Sequence, residues 1–336
     1  MRPAVVLGAN LVVGAGVLAY VLVRYGSPAV HLLATRTDPL LLAAFPLAVG
    51  ASVLAYALRW RILLRGVGAS ASLGWLTTYR LAGQSLSSLI PSAKLGGEPL
   101  RVVLLVRDGV PAPAAIASVV VDRTLEMGAA AGCAILYAII LLRRGVPELE
   151  GALATVTLGG VALAIGIAVS VGRLRRGAGL ASAAARRIGL DRLPVVAGRM
   201  DALEAAEGDV ARLVAAPRRI AWAFAAGMLA SVFVLAEYAL LLAAFGLPAS
   251  PLAIVAAIFA TGAAHSLPVP AAVGALEGAQ MWLFGVLGHP PEVGLAVGLA
   301  VRLRELAWIV PGLVYLMGRG VTRLGSPAWR RAGATS

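Results

Sequence analysis

The chain has 336 residues, of which 60% are hydrophobic and only 13% are charged, and its mean hydropathy is +0.89. Because a soluble domain carries about 25% charged residues, this composition excludes a soluble protein and indicates an integral membrane protein. The net charge of +13 would suggest nucleic acid binding in a soluble chain, but here the arginines cluster at the ends of apolar segments, where they set membrane orientation. The single cysteine, Cys133, excludes an intrachain disulfide.

Six segments are apolar over about 20 residues, the length that crosses a bilayer as a helix. In chain order they are 3–23, 40–58, 113–142, 152–172, 220–245 and 293–317. The first is too long for the apolar core of a cleaved signal peptide, so we expect it to be retained.

Two further apolar segments, 73–107 and 250–288, are each interrupted in the middle by Pro and Gly, which break helices. Their arms are short or carry polar residues, so we expect two re-entrant helical hairpins. The alternative is that each segment crosses the membrane twice. The sequence thus predicts one all-α polytopic membrane domain over residues 1–336, with six transmembrane helices and two re-entrant hairpins.

Arginine positions predict the orientation of these spans. Arginines follow the second span at Arg59, Arg61 and Arg65, ten more lie in 173–219, and others follow the last span, whereas the loop 246–292 has no Lys or Arg. We therefore expect both termini on the cytoplasmic side of the membrane.

The segment 173–217 is predicted to be an Arg-rich cytoplasmic linker with an amphipathic helix. Its apolar residues recur at helical spacing, at Leu193, Val196, Met200, Leu203, Val210 and Val214. Two interpretations remain open: a helix lying on the membrane surface, or a helix that packs between the two halves of the protein.

An internal repeat relates the two halves. The segment 44–126 aligns with 223–305 without a gap, and 19 of the 83 positions are identical. The matches include helix breakers and charges, which chance rarely aligns, such as Pro91 with Pro270, Glu98 with Glu277, and Arg123 with Arg302.

The repeat predicts a topology. We assign one unit to 39–144, with hairpin 73–107, and a second to 218–320, with hairpin 250–288. Each unit has an even number of crossings and one span separates them, so the second unit must enter the membrane upside down. Inverted-topology repeats of this kind are typical of alternating-access transporters, whose sites lie near the midplane at broken helices.

Charged residues lie deep inside two of the predicted spans. Arg123 and Arg302 are each about ten residues from a span end, or roughly 15 Å into the bilayer, where an arginine costs about 2.5–3.5 kcal/mol. Glu126 and Glu305 follow them at i+3 and can share their helix faces. Asp122 and Arg304 lie in the same two spans.

One interpretation of these charges is that each Arg and Glu neutralise one another within their own helix. We favour an inward-facing polar cavity in which Arg123 reaches Glu98 and Arg302 reaches Glu277. Such a cavity would explain why the charges are present at all, since a pair that only cancels itself could be replaced by leucine.

The tip of the first hairpin has the composition of an anion site. Gly96, Gly97 and Glu98, followed by Pro99, are typical of a helix start, so free backbone N–H groups are expected there. Lys94, the only lysine in the chain, and Arg101 lie close in sequence. This combination is suited to phosphate, with Glu98 holding a basic side chain or capping the helix.

The tip of the second hairpin lies between Pro268 and Glu277 and has no basic residue of its own. Its two prolines, Pro268 and Pro270, break the helix, and Glu277 could bind a proton or the amine of a lipid headgroup, with Arg302 and Arg304 nearby. Both tips could instead be structural breaks that allow helices to pack.

Taken together, these motifs resemble the lysylphosphatidylglycerol synthase transmembrane family over about residues 5–320. The residues that carry the resemblance are Arg59-Trp-Arg61, Leu89-Ile-Pro91, Gly96-Gly97-Glu98-Pro-Leu-Arg101, Asp122-Arg123 and Pro268-Val-Pro270 followed by Gly274 and Glu277. The resemblance implies a bacterial inner-membrane protein that moves lipids between leaflets. Full-length members add a soluble aminoacyl-transferase domain, which we do not expect here because the chain ends at Ser336, soon after its last predicted span.

Our leading hypothesis is therefore a lipid flippase without a cofactor, acting on an anionic or zwitterionic phospholipid; the resemblance adds aminoacylated lipids, hopanoids and glycolipids as candidates. Two alternatives stay open: an intramembrane enzyme acting on a lipid-linked substrate, and a scaffold that binds a soluble lipid-modifying enzyme through 173–219. No nucleophile–base motif or metal-ligand spacing favours the enzyme. A homo-oligomer would fit any of these hypotheses.

Overall fold

The structure is a computed structural model that describes residues 3–89, 96–143, 147–176, 179–189, 198, 200–267 and 269–319. Within this part of the chain all regular structure is helical, as the sequence predicts. The twelve α-helices are α1 (Pro3–Thr35), α2 (Pro39–Gly66), α3 (Leu73–Leu89), α4 (Glu98–Arg107), α5 (Ala112–Leu142), α6 (Pro147–Arg175), α7 (Ala181–Arg187), α8 (Met200–Val214), α9 (Pro217–Ala244), α10 (Pro251–Ser266), α11 (Ala275–Val286) and α12 (Pro291–Arg319).

Five of the described helices are long and apolar enough to cross a membrane, namely α2, α5, α9 and the stretches Ala15–Thr35 of α1 and Leu153–Arg175 of α6. The chain is thus a polytopic all-α membrane protein. The sixth predicted span, 293–317, forms α12, whose 29 residues are sufficient in length. α12 is not among the five long apolar helices because Arg302, Arg304 and Glu305 interrupt its apolar sequence.

Two of the predicted spans end before the helices that contain them. The first helix continues from residue 23 to Thr35, and the second continues past 58 to Gly66. Arg59 therefore does not flank the second span as predicted but lies inside α2, with only 1% of its surface exposed. Its buried position is explained by two carboxylates of α5, described below, and Arg61 and Arg65 remain as the orientation signal at this end.

The two interrupted segments form helical hairpins. The first consists of α3 and α4, with 17 and 10 residues, and the second of α10 and α11, with 16 and 12 residues. In each hairpin the two helices pack against one another. All four are shorter than the roughly 20 residues that span a bilayer, as a re-entrant hairpin requires, and their position in a membrane stays a prediction.

The same order of helices occurs twice. When the alignment of the two halves is continued to the ends of the units, the starts of α9, α10, α11 and α12 fall at or close to the starts of α2, α3, α4 and α5. The helix boundaries thus follow the register of the sequence repeat. Contacts between the units are reciprocal, since α3 packs against α12 and α10 packs against α5.

Corresponding helices α2 and α9 pack in opposite directions. At one end the N–H of Asp38 donates to the carbonyl of Ala244 over 2.6 Å. At the other end Arg219 Nη1 lies 3.5 Å from the carbonyl of Gly66. The start of α2 thus meets the end of α9. An inverted repeat requires this antiparallel arrangement, and the inversion of the whole units stays a prediction.

The predicted linker helix is present as α8. Its buried residues include Met200, Val210, Leu213 and Val214, and the last three pack with Leu63 and with apolar residues of α5 and α9. The apolar face therefore covers other helices, which is the second of the two interpretations given for this segment. Leu193 and Val196, at the predicted start of the helix, lie outside the described residues.

Candidate functional site: two buried charge networks and a shared chamber

The first network is centred on Asp122 in α5, which is fully buried. Its Oδ1 accepts a hydrogen bond from Arg59 Nε at 2.7 Å, and its Oδ2 lies 2.7 Å from Arg101 Nη2 and 3.3 Å from Arg80 Nη1. These arginines come from α2, α4 and α3. One carboxylate thus holds three other helices of the first unit, and its charge offsets the desolvation of the buried guanidinium groups.

Glu126, one turn further along α5, extends this network. Its Oε2 lies 2.9 Å from Arg59 and 2.7 Å from Arg80, and its Oε1 lies 3.1 Å from Arg123. Arg123 also lies 3.3 Å from Glu98 at the start of α4. The predicted contact between Arg123 and Glu98 is therefore present, together with the i,i+3 pair of the alternative interpretation.

The second network is built in the same way in the second unit. Arg302 lies 2.7 Å from Glu277 and 2.8 Å from Glu305, so the predicted contact between Arg302 and Glu277 is also present. Arg302 further donates to the backbone carbonyls of Ala271 and Ala272 at 2.5 and 2.9 Å. Both alanines have positive φ, 49° and 48°, a strained conformation for a non-glycine residue. The guanidinium thus stabilises the tip of the second hairpin.

Glu237, in the second half of α9, forms a further buried contact within the second unit and with α2. It is fully buried and lies 2.6 Å from Arg304 Nε. Trp308 Nε1 donates to it at 3.2 Å, and the hydroxyl of Ser52 in α2 also donates to it. The Arg304 guanidinium is 4.7 Å from the ring centroid of Tyr238, within the range of a cation–π interaction.

His265 in α10 connects its hairpin to α12. Its Nε2 lies 2.7 Å from Glu305 Oε1, and its Nδ1 lies 2.9 Å from the carbonyl oxygen of Thr261. The imidazole is thus held on both sides by oxygen atoms.

The first hairpin tip differs from the phosphate site predicted there. The N–H of Gly97 donates to the hydroxyl of Ser87 over 2.8 Å, so this donor is already used. The guanidinium of Arg101 contacts Asp122 and lies 3.9 Å from the Trp60 ring. Lys94 lies outside the described residues, and Gly96 lies in the turn just before α4. The phosphate-binding role of this tip stays a prediction.

At the second tip, Pro270 begins a short 3-10 turn that runs to Ala272, and Pro268 lies outside the described residues. Glu277 accepts a hydrogen bond from the N–H of Gly274 over 3.0 Å, so it caps the start of α11 while it binds Arg302. Glu277 thus has the two roles that were predicted for Glu98, while its predicted binding of a proton or a headgroup amine stays a prediction.

A polar chamber of about 180 Å³ lies between the two networks. It is bordered by charged residues of both units, by aromatic and polar side chains and by two aliphatic ones: Tyr56, Arg80, Gln84, Ser88, Arg123, Glu126, Val234, Arg304, Glu305, Trp308 and Ile309. Tyr56 lies between two guanidinium groups, with its ring centroid 4.9 Å from Arg59 and 4.2 Å from Arg80.

A larger, mostly apolar cavity of about 520 Å³ adjoins the chamber. The two share Tyr56, Glu126 and Val234. Its walls are lined largely by small residues of α5, α6, α9 and α10, among them Ala130, Ala134, Gly159, Gly160, Gly227, Gly262 and Ala263. A charged chamber thus adjoins an apolar cavity between the two units.

A comparison with protein families identifies the family of this chain. Residues 6–312 match the family model described as Lysylphosphatidylglycerol synthase TM region. The chain belongs to this family. Among curated proteins, no sequence matches the chain. Membership of the lysylphosphatidylglycerol synthase transmembrane family associates the protein with membrane lipids.

Sequence reasoning missed several residues of the networks in this family member. Arg59 is predicted from the sequence to flank a span, and Arg80, His265 and Glu237 are not among the predicted site residues. A lone glutamate at the centre of an apolar span costs free energy unless it is paired, and this signal alone could have identified Glu237. Within the described residues, no three His, Cys, Asp or Glu side chains are grouped to hold a metal ion.

Proposed function

We propose that this protein moves a lipid with a charged headgroup between the two leaflets of a bacterial inner membrane, with its termini in the cytoplasm. The observation that carries the proposal is the polar chamber that adjoins an apolar cavity. A lipid has the same division into a charged headgroup and apolar chains. The headgroup would enter the chamber while the chains occupy the apolar cavity or the surrounding bilayer.

The charges around the chamber support a headgroup with phosphate and, for a zwitterionic lipid, an amine. The first network has four arginines (59, 80, 101 and 123) and three carboxylates (98, 122 and 126), a balance of +1. The second has two arginines (302 and 304) and three carboxylates (237, 277 and 305), a balance of −1 before any proton bound between His265 and Glu305 is counted. Under the proposal, phosphate approaches the first network and an amine approaches the second.

The inverted repeat supplies the movement in this proposal. If the two units are inverted, the chamber at their interface can open alternately to either side by a change in the contacts between them. The reciprocal packing of α3 on α12 and of α10 on α5 is the interface that would change. The lipid leaves chemically unchanged, which distinguishes this function from that of an intramembrane enzyme.

The direct test is transport in liposomes containing the purified full-length chain and phospholipids with a fluorescent label on one acyl chain. A membrane-impermeant quencher reports how much labelled lipid reaches the outer leaflet, and mass spectrometry reports whether the lipid is modified. We expect redistribution of an unmodified lipid. No redistribution for any anionic, zwitterionic, aminoacylated or glycosylated lipid, or formation of a new product, would contradict the proposal.

Matched glycine variants connect transport to the apolar cavity. Gly159 lines the cavity and Gly166 lies two turns further along α6 outside it, and an added Cβ meets no atom within 4 Å at either position. Gly159→Phe should slow transport at least about tenfold, equivalent to roughly 1.4 kcal/mol in the barrier, while Gly166→Phe should not. Equal rates in the two variants would exclude the cavity as the lipid path. The double variant Glu98→Ala, Glu277→Ala should also be inactive.

A further inference from the structure

Each of the two ring nitrogens of His265 lies opposite an oxygen atom, one from Thr261 and one from Glu305. A neutral imidazole beside an ionised carboxylate cannot form a hydrogen bond in both contacts. The Nδ1 atom of His265 lies 2.9 Å from the Thr261 carbonyl oxygen, and Nε2 lies 2.7 Å from Glu305 Oε1. A carbonyl oxygen and a carboxylate oxygen only accept hydrogen bonds. A neutral imidazole carries a hydrogen on one nitrogen only, so one of the two contacts would join two lone pairs.

One additional proton removes this conflict. On the imidazole, it makes both nitrogens donors; on Glu305, it makes the carboxyl a donor to Nε2 while Nδ1–H donates to Thr261. Both arrangements contain the same number of protons. The two side chains are only 10% and 13% exposed, so water can replace little of the missing hydrogen bonding.

We propose that His265 and Glu305 form a proton-binding site on the wall of the chamber. The bound proton holds α10 of the second hairpin to α12. When the proton is released, one imidazole nitrogen presents a lone pair to the oxygen of Thr261 or of Glu305. The loss of this hydrogen bond weakens the connection between α10 and α12. The site goes beyond the proposed function, and its use in driving transport would rest on that function.

Ionisable groups from several neighbouring helices lie around the pair. Glu305 shares Arg302 with Glu277 of α11, and Oε2 of Glu305 is 2.8 Å from Arg302 Nη1. Glu305 also borders the chamber. The other ionisable groups that border it are Arg80 of α3, Arg123 and Glu126 of α5, Arg304 of α12 and Tyr56 of α2. Glu237 and Tyr238 of α9 lie beside Arg304. Arg302 fixes one oxygen of Glu305, which leaves the other oriented towards His265.

The test counts protons bound by the full-length chain in lipid nanodiscs. When the pH is raised from about 7 to about 9, beyond the ordinary histidine pKa of about 6.5, the unmodified chain should release one more proton than Glu305→Gln. In that variant a neutral imidazole suffices, because the amide can donate to Nε2. Glu292→Gln, in the first turn of the same helix, is the matched control and should release as many protons as the unmodified chain.

A second measurement needs no change at the site. With His31 and His289 replaced by Gln, ¹⁵N-labelled His265 should show two N–H groups at about pH 7, above its ordinary pKa of about 6.5, or infrared spectra should show a protonated carboxyl that is absent in Glu305→Gln. A neutral imidazole beside an ionised Glu305, or equal proton release in the unmodified chain and Glu305→Gln, overturns the site. Lipid transport with no proton bound would overturn the proton-binding site and leave the proposed function standing. A bound proton without lipid transport would support the site and contradict the proposed function.

Discussion

Arg302 lies 2.7 Å from Glu277, and the residues at the equivalent positions of the first unit, Arg123 and Glu98, form the same contact at 3.3 Å. In each unit the arginine belongs to the long last helix and the glutamate to the start of the helix after the hairpin tip. Each arginine also contacts the glutamate at i+3 of its own helix. The repeat therefore preserves a contact between a hairpin and a span, and in the first unit its arginine, Arg123, borders the chamber.

We expect Asp122→Asn to destabilise the protein strongly. Arg59, Arg80 and Arg101, all at least about nine-tenths buried, would lose their shared anion, and breaking a buried ion pair costs about 3–5 kcal/mol. Unfolding in detergent, followed by tryptophan fluorescence, measures the loss. Asp201→Asn, on the exposed surface of α8, is the control and should change the stability by less than about 0.5 kcal/mol. Equal stability of the two variants would contradict a structural role for Asp122.

Arg302→Lys should reduce lipid transport at least about tenfold, or roughly 1.4 kcal/mol in the barrier. Lysine keeps the charge but cannot reproduce the planar, multidentate contacts to Glu277 and to the carbonyls of Ala271 and Ala272. The liposome assay measures this loss. Arg107→Lys, at the exposed end of α4, is the matched control and should transport at the normal rate. A normal rate in Arg302→Lys would show that the charge alone is sufficient.

Gly97→Ala should separate the two helices of the first hairpin. A Cβ at position 97 would lie 2.0 Å from the carbonyl oxygen of Gly83, so the backbone of α3 or α4 must shift. We expect a loss of stability of about 1–3 kcal/mol from this overpacking. Gly74→Ala, in α3 where a Cβ meets no atom within 4 Å, should instead stabilise the protein by roughly 0.5–1 kcal/mol through helix propensity. Thermal unfolding of both variants in one detergent tests the contrast.

The contact between α7 and α8 should weaken in acid. Partial burial raises the pKa of Glu207, but hydrogen bonds from the Ser182 hydroxyl and from the N–H groups of residues 180–182 lower it more, so the net pKa is lowered. A carboxyl whose pKa is lower in the folded state stabilises it above the ordinary Glu pKa of about 4.3, and this contribution is lost as the pH falls through the folded-state pKa. The stabilisation is therefore complete at neutral pH.

Hydrogen exchange of the amides in α7 measures this effect, after correction for the intrinsic pH dependence of exchange. Protection should fall with pH below about 4.3 in the unmodified chain and should be low at all pH values in Glu207→Gln. The comparison variant is Glu204→Gln, which removes an exposed ion pair with Arg186 between the same two helices and should change protection less. Identical exchange in the two variants would contradict the role of Glu207.

How far the site could be predicted depended on whether its residues carried a local signal. The contacts of Arg123 and Arg302 were predicted because both arginines lie deep in apolar segments at equivalent positions of the repeat. Arg59 was misinterpreted because it is the first of three arginines at the end of an apolar run, where a flanking charge is the usual explanation. Its partner Asp122 is far away along the chain, and only the packing of α2 on α5 brings them together.

The sequence by itself determined the membrane class, the order of the long helices and hairpins, and the internal repeat, because hydropathy, helix breakers and self-similarity can be read along the chain without knowing how the helices pack. Only the tertiary structure decided which charges pair, that Ser87 uses the Gly97 N–H, and that a charged chamber adjoins an apolar cavity. These contacts depend on the direction and rotation of helices far apart in sequence, such as the antiparallel α2 and α9. A rotation of one helix by one residue, about 100°, would point a buried arginine away from its carboxylate.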